Sequence, residues 1–293
     1  MKVIPCPVCS QNSFTELFSK KSSLEETFTL VTCNSCNLVF INPQPSWEEV
    51  EKYYHDEYFT KRTDRGYDNY YSESMKKEIS RVFQLNLEDL GYFQWFQNMQ
   101  LEKKSLDIGC AAGYFVEFMK NQGFAAQGIE MAKGPAHFAK TVLGLDIIEE
   151  DFLSWDPNLS NRYSVITLWA TIEHLHNPKQ VLEKAFQHLH PGGVLIVSTC
   201  RYGILAKWKN VNWRFLNVPE HLVYFSLSGI LKLLQSIGFQ KKGVITYGSG
   251  MTSQKQSGIM YKLLKFFLDR LVKLANQGDM MAVLVQKPVQ NGN

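Results

Sequence analysis

The chain has 293 residues, 45% of them hydrophobic and 20% charged, which is enough apolar content to bury a core and excludes a disordered polypeptide. A net charge of +3 is too small to mark a polyanion-binding surface, and six cysteines are too few for a disulfide scaffold. The longest stretch without Asp, Glu, Lys or Arg, Thr27 to Trp47, carries two Cys, three Asn and two Pro and is not a membrane helix.

Met1-Lys-Val-Ile-Pro-Cys6 has no apolar core of signal-peptide length, so a cytoplasmic protein is expected. Cys6-Pro-Val-Cys9 is followed after 23 residues by Cys33-Asn-Ser-Cys36. Two such hooks can each turn two thiolates toward one tetrahedral ion, so Cys6, Cys9, Cys33 and Cys36 are expected to hold a structural Zn2+ in a ribbon. Four sulfur ligands leave no open position for catalysis; the alternatives are metal-free turns or a redox dithiol. Phe14-Thr-Glu-Leu-Phe18 and Thr27-Phe-Thr-Leu-Val-Thr32 read as its short strands. Residues 1–45 balance Lys2, Lys20 and Lys21 against Glu16, Glu25 and Glu26, a neutral module with no basic stripe for a phosphate backbone.

Asn42-Pro-Gln-Pro45 breaks the chain, and Ser46-Trp-Glu-Glu49 reads as an N-cap with an acidic first turn. It opens an aromatic-rich helical region over residues 46–100. From Lys104 onward, strand-like runs alternate with helix-length amphipathic segments, the pattern of a parallel sheet flanked by helices. Strands are predicted near 104–108, 125–129, 146–149, 163–168, 193–199, 242–247 and 281–286. Helices are predicted near 113–122, 134–143, 178–189 and 228–237.

The first of these strands ends in a glycine turn, Asp107-Ile-Gly109-Cys-Ala-Ala-Gly113, that opens directly into a helix, the place where an open α/β sheet binds its ligand. Gly109 permits the tight turn and Gly113 lets backbone approach a ligand closely. No Walker lysine and no third glycine follow, which excludes a P-loop and a dinucleotide fingerprint. Gly128-Ile-Glu130 closes the second strand with a carboxylate placed to accept from ribose hydroxyls. Asp151-Phe152, after the third strand, offers an acid for an exocyclic amine and a ring for the face of adenine.

Leu106-Asp-Ile-Gly-Cys-Ala-Ala-Gly113, Gly128-Ile-Glu130, Asp151-Phe152, Tyr163-Ser-Val-Ile-Thr-Leu168 and Leu189-His-Pro-Gly-Gly-Val194 together resemble the successive motifs of class I S-adenosylmethionine-dependent methyltransferases. The resemblance implies a Rossmann-like α/β domain over residues 101–293, with a seven-stranded sheet whose last strand is antiparallel. It implies S-adenosylmethionine as cofactor, held by Asp107, Gly109, Gly113, Glu130, Asp151, Phe152 and Trp169. The tract Tyr53-Tyr-His-Asp-Glu-Tyr-Phe59, with Arg62, is expected either to fold over the donor as a lid or to pack on the sheet.

After the fourth sheet strand stands Trp169-Ala-Thr-Ile-Glu-His174, without the [DN]PP[FY] motif of base amino-methylases. Cys110 and Cys200 read as buried small residues. His174 and His221 both lie in connections at the carboxyl edge of the sheet, where a neutral imidazole can take a proton from an acceptor. The whole chain resembles bacterial sugar and small-molecule methyltransferases, which implies acceptor binding and proton removal by His174, His221 and Glu220. The sugar C-methyltransferases among them carry a further C-terminal α/β domain that is not expected here, so O- and C-methylation both stand. His176, His188 and His190 read as surface or capping residues.

A small-molecule acceptor is expected, on a sugar, nucleotide sugar, polysaccharide or natural-product scaffold, and no nucleic acid. The rival reading is a zinc-ribbon rRNA or tRNA methyltransferase. The helix predicted over 258–275 combines apolar residues with Lys262, Lys265, Arg270 and Lys273, and packs on the core, on a second subunit or on a membrane surface.

Overall fold

Each half of the cysteine pattern folds into the same tight turn. Ser10 N–H donates to Cys6 O, and Asn37 N–H donates to Cys33 O, both at 2.9 Å. Ser10 and Asn37 adopt left-handed backbone at φ +61° and +60°. The computed structural model describes residues 1–54, 59–60, 69–156, 158, 162–250 and 258–289. Between the turns run β1 (Phe14–Lys21) and β2 (Thr27–Cys33), which pair antiparallel, and β3 (Val39–Ile41) extends the ribbon beyond β2. Ser46 caps the short α1 (Trp47–Glu51) with a reciprocal Ser46–Glu49 capping box, as the sequence predicts.

The helical region continues with α2 (Glu73–Asp89), capped by Ser72, and α3 (Tyr92–Gln97). Phe83, Leu87 and Leu90 are buried on or beside α2, spaced three to four residues apart as one helical face requires. Phe83 meets Phe115 edge-on at 5.0 Å, which fixes α2 on the main domain.

That domain alternates β4 (Lys104–Ile108), α4 (Tyr114–Asn121), β5 (Ala125–Ile129), α5 (Lys133–Thr141), β6 (Asp146–Ile148), β7 (Tyr163–Trp169), α6 (Pro178–His188) and β8 (Leu189–Cys200). Then come α7 (Ile204–Lys209), β9 (Val223–Tyr224), α8 (Leu227–Ile237), β10 (Gln240–Tyr247), α9 (Ile259–Leu274) and β11 (Met280–Gln286). The main sheet has the order β10-β11-β8-β7-β4-β5-β6, with β11 antiparallel to both neighbours. This is the seven-stranded arrangement that the resemblance implies. Its central strands are buried on both faces, so Tyr163-Ser-Val-Ile-Thr-Leu-Trp169 and the run after Gly193 are nearly continuous in apolar residues.

The ribbon is not sealed off from this domain. β9 pairs with β3, Val39 opposite Tyr224, so a segment from beyond β8 completes a four-stranded sheet β1-β2-β3-β9. One apolar core runs from Cys6, Leu30 and Phe40 through Tyr224 and Phe225 to Leu168 and Val197. The connection containing His221 is thereby clamped between the two sheets.

Candidate functional site

The β4 to α4 turn is built on two glycines in left-handed backbone, Gly109 at φ +69° and Gly113 at φ +78°. A Cβ on Gly109 would lie 2.4 Å from Thr171 Cγ2, and one on Gly113 would lie 2.7 Å from Leu145 Cδ1. The space each glycine frees is filled by the protein itself. For Gly113 this corrects the expectation of room for a ligand: the missing side chain lets α4 close onto Leu145 and Ala139.

Glu130 latches this turn. Its Oε2 accepts from Ala111 N–H and its Oε1 from Ala132 N–H, each at 2.8 Å. A carboxylate has about four acceptor positions. The two amides fix its orientation and leave a position on each oxygen, a match for the two hydroxyls of a ribose. Burial pushes the Glu130 pKa up, and the backbone hydrogen bonds pull against that shift. Ala111 itself is strained at φ +47°, and Ala170, after β7 on the adjacent strand, at φ +50°. Positive φ at two alanines flanking one crevice is a feature the sequence does not display.

Asp107 braces β4 against β7: Thr167 Oγ1 donates to its Oδ1 at 2.6 Å within the sheet. Burial pushes its pKa up to about 8, against the Thr167 bond and with help from the nearby Glu130. Asp151 Oδ2 accepts from Ser154 N–H at 3.0 Å and so caps the turn after β6. The Phe152 ring is buried, packed near Trp155 and His188, with the Lys184 ammonium 5.3 Å from its centroid. His188 is likewise a core residue and not a surface one, because the same aromatic pocket encloses it.

Trp169 lies between Phe83 and Phe115, at 5.0 and 5.2 Å, and its buried Nε1 has no hydrogen-bond partner among the described residues. On the α4 side of the crevice, Tyr70 stacks on Tyr114 at 5.4 Å, and Tyr114 Oη donates to Tyr70 O at 2.8 Å. Tyr71 packs on Phe138 of α5 at 4.5 Å. Sequence reasoning missed Tyr70 and Tyr71 and looked to an earlier tract. In that tract Tyr53 turns away to bond Ser22 and Glu26 of the ribbon, whereas Tyr54 reaches the histidines. Residues 55–58 and Arg62 lie outside the described residues.

The histidines meet at the carboxyl edge. The His174 and His221 rings are 4.7 Å apart and nearly perpendicular. His174 Nδ1 lies 2.7 Å from Glu220 O and 2.8 Å from Tyr54 Oη. These contacts fix the orientation of the ring. His221 is buried, with Cys200 Sγ 3.8 Å from its Nδ1. Glu173 is buried beneath the pair and accepts from Thr199 Oγ1 at 2.8 Å. The side-chain ligand atoms of Glu173, His174 and His221 all lie within 4.8 Å of one another. Glu220 therefore meets His174 through its backbone carbonyl, and its buried carboxylate lies near the Lys20 ammonium.

At the ribbon, Cys6 Sγ is 3.5 Å from Cys36 Sγ, Cys9 Sγ is 3.5 Å from Cys33 Sγ, and all four sulfurs lie within 4.8 Å. A tetrahedron with metal–sulfur bonds of about 2.3 Å has edges of roughly 3.8 Å, so the four thiols fit one ion.

Comparison with known proteins agrees with this geometry. Residues 67–242 match the family described as a methyltransferase domain. The ubiquinone biosynthesis O-methyltransferase of Histophilus somni is 35% identical over 131 residues, 42% of this chain and 55% of that protein. The protein of the same name from Aliivibrio fischeri is 24% identical over 182 residues, 58% of this chain and 78% of that one. The chain thus spans little more than half the length of the first of these relatives. Among solved structures, a SAM-dependent methyltransferase from Archaeoglobus fulgidus superposes with a TM-score of 0.54 at 14% identity, covering 80% of this chain and 100% of that one. The [4+2]-cyclase SpnF superposes at 0.57 and 16% identity, covering 84% and 97%. These two likenesses show the fold of the chain.

Proposed function

The chain belongs to the methyltransferase-domain family, and from that premise we propose that it transfers a methyl group from S-adenosylmethionine to a hydroxyl of a small molecule. The observation that carries the reading is the Glu130 latch on the glycine turn, which keeps two acceptor positions on an oriented carboxylate. Glu130 holds the donor's ribose, Gly109 and Gly113 shape the turn beneath it, and Asp151 bounds the adenine end. The unpartnered Trp169 Nε1 gives a polar group of the donor a hydrogen bond to accept. Asp107 acts through β7 as a positioning residue. The donor supplies an electrophilic methyl on a sulfonium.

The chain's own task is then to align the acceptor, exclude water and remove a proton. His174, oriented through Nδ1 by Glu220 O and Tyr54, takes the proton from the acceptor hydroxyl. Glu173 and His221 stabilise the positive charge that develops on it. The relatives' name as O-methyltransferases favours oxygen over carbon as the acceptor atom. The four cysteines hold a structural Zn2+, and the ion fixes the strand that β9 joins. Sugar, nucleotide-sugar, polysaccharide and natural-product hydroxyls are the acceptors this reading includes.

A second reading has its own observation. Glu173, His174 and His221 form a two-histidine, one-carboxylate set compact enough for a divalent ion, which would bind acceptor oxygens directly. Dialysis against EDTA separates the two. Undiminished turnover leaves proton transfer to the histidines, and a loss restored by added Mg2+, which four thiolates do not hold, installs the ion; a loss restored by Zn2+ alone belongs to the ribbon. The first experiment is incubation with methyl-labelled S-adenosylmethionine and separate panels of hydroxylated small molecules, nucleotide sugars, tRNA and rRNA. Label in a small molecule supports the reading; label confined to RNA replaces it with the ribbon-clamp alternative.

A further inference from the structure

Two helices that rise from the carboxyl edge of the main sheet carry apolar side chains outward. In α9 the half-buried positions are Tyr261, Lys265, Leu268, Asp269 and Val272, so the stripe facing the protein includes an ion pair between Lys265 and Asp269. The outward stripe is Met260, Leu263, Leu264, Phe267, Leu271 and Leu274, at the three- and four-residue steps of one helical face. Met260 and Leu274 are each 82% exposed, and Phe267 61%. Lys262 and Arg270 flank that stripe, and Lys273 pairs with Asp89 of α2. Burial that is inverted in this way is not the packing of a core helix.

The second helix repeats the pattern. Ile204, Trp208 and Val211, in and just after α7, form an exposed stripe, and Trp208 is 77% exposed beside Lys207 and Lys209. The two segments are joined through one short link: Lys209 Nζ donates to Gly250 O at 3.2 Å, and Ser249 N–H donates to Asp269 Oδ1 at 2.9 Å. Residues 204–217 hold Lys207, Lys209 and Arg214 and no acid, while 258–278 hold four cations and Asp269 alone. Together they carry +6 in a chain whose formal charge is +3, so the remainder is net −3. Positive charge is concentrated where apolar side chains are exposed.

We propose that α7 and α9 form one peripheral docking surface for an anionic phospholipid membrane. Trp208 and Phe267 enter the interfacial region, and Lys207, Arg214, Lys262 and Arg270 meet lipid phosphates. The helices lie on the bilayer: no helix among the described residues is long and apolar enough to cross one. A second copy of the chain is the poorer occupant. It would bring a like-charged face, and the single acid of 258–278, Asp269, is already bonded to Lys265 and Ser249. Across the sheet Cys200 is opposite Met280, so the chain leaves for α7 and returns from α9 at the edge that holds His174 and His221. Docking places that edge against the membrane.

The test is flotation of the full chain with vesicles of phosphatidylglycerol and phosphatidylcholine, against phosphatidylcholine alone. The wild type is expected to co-float with the anionic vesicles, and to lose about tenfold in bound fraction on neutral vesicles or at about 0.5 M salt. Phe266→Ser with Phe267→Ser, and separately Trp208→Ser, are expected to lose binding to a similar degree, while urea unfolding of these exposed variants stays unchanged. Absence of co-flotation, equal binding to neutral vesicles, or undiminished binding by the variants overturns the proposal. Sedimentation that finds a dimer dispersed by the same phenylalanine substitutions, with no vesicle binding, assigns the face to a second copy instead.

Discussion

Glu130 Oε2 and the Ala111 amide, 2.8 Å apart, tie the end of β5 to the strained turn after β4. Through this bond one carboxylate both closes the glycine turn and stays aimed into the crevice. If Glu130 receives the donor's ribose as proposed, it is oriented before the ligand arrives, which lowers the ordering cost of binding.

Strain in the crevice is measurable on its own. Ala170 sits at φ +50° in an exposed turn, where an L-residue costs about 1–2 kcal/mol relative to ordinary backbone and glycine is free of the penalty. Ala170→Gly is expected to raise stability by about 1 kcal/mol in urea unfolding, after allowance for glycine's greater unfolded-state freedom. A destabilised variant would show that the turn is held in a relaxed conformation.

The buried Asp107 carboxyl links stability to pH. Its folded pKa, pushed up to about 8, lies well above the unfolded value near 4. Between these values the folded state holds a proton that the unfolded chain has lost, so stability contributed by the protonated group falls as pH rises from about 4 through 8. Asp107→Asn removes this dependence. Urea unfolding at pH 5, 7 and 9 is expected to show the variant gaining on the wild type toward high pH, and parallel curves would refute it.

Sequence and structure agree where periodicity is strong and local. β7, β8 and β11 announce themselves by apolar runs, and α8 by its helix-length amphipathic spacing near 228–237. β9 could not be read, because two residues carry no period and their partner Val39 lies in the ribbon. Motif identity also places a residue without aiming it. Asp151 and Phe152 follow β6, where the acid caps a turn and the ring packs near Trp155 and His188, neighbours that no motif names. The His174–His221 pair was legible only as two residues at one edge; their 4.7 Å approach depends on the clamp formed by β3 and β9.

The ribbon carries a metal prediction. Cys33→Ser removes one of four sulfurs, and plasma emission analysis is expected to find about one zinc per wild-type chain and far less in the variant. Because β9 joins the ribbon sheet, the loss should also slow turnover by loosening the His221 connection. Wild-type protein free of zinc after purification without chelators would remove the metal from the account.

For the histidines the expectation is a split between turnover and donor binding. His174→Ala, and to a lesser degree His221→Ala, should lower kcat by about 10²–10⁴-fold, the usual contribution of a general base, with the donor Kd nearly unchanged. A variant with wild-type kcat, or one whose whole loss lies in donor affinity, takes its histidine out of the proton path.

The most direct test of the account is calorimetric titration of S-adenosylmethionine into the wild type and Glu130→Ala. The account predicts a one-to-one complex with the wild type and an affinity roughly ten- to a hundredfold weaker in the variant, the loss of charged hydrogen bonds worth about 1.5–3 kcal/mol. No heat with folded wild-type protein, or equal affinity in both, would contradict it.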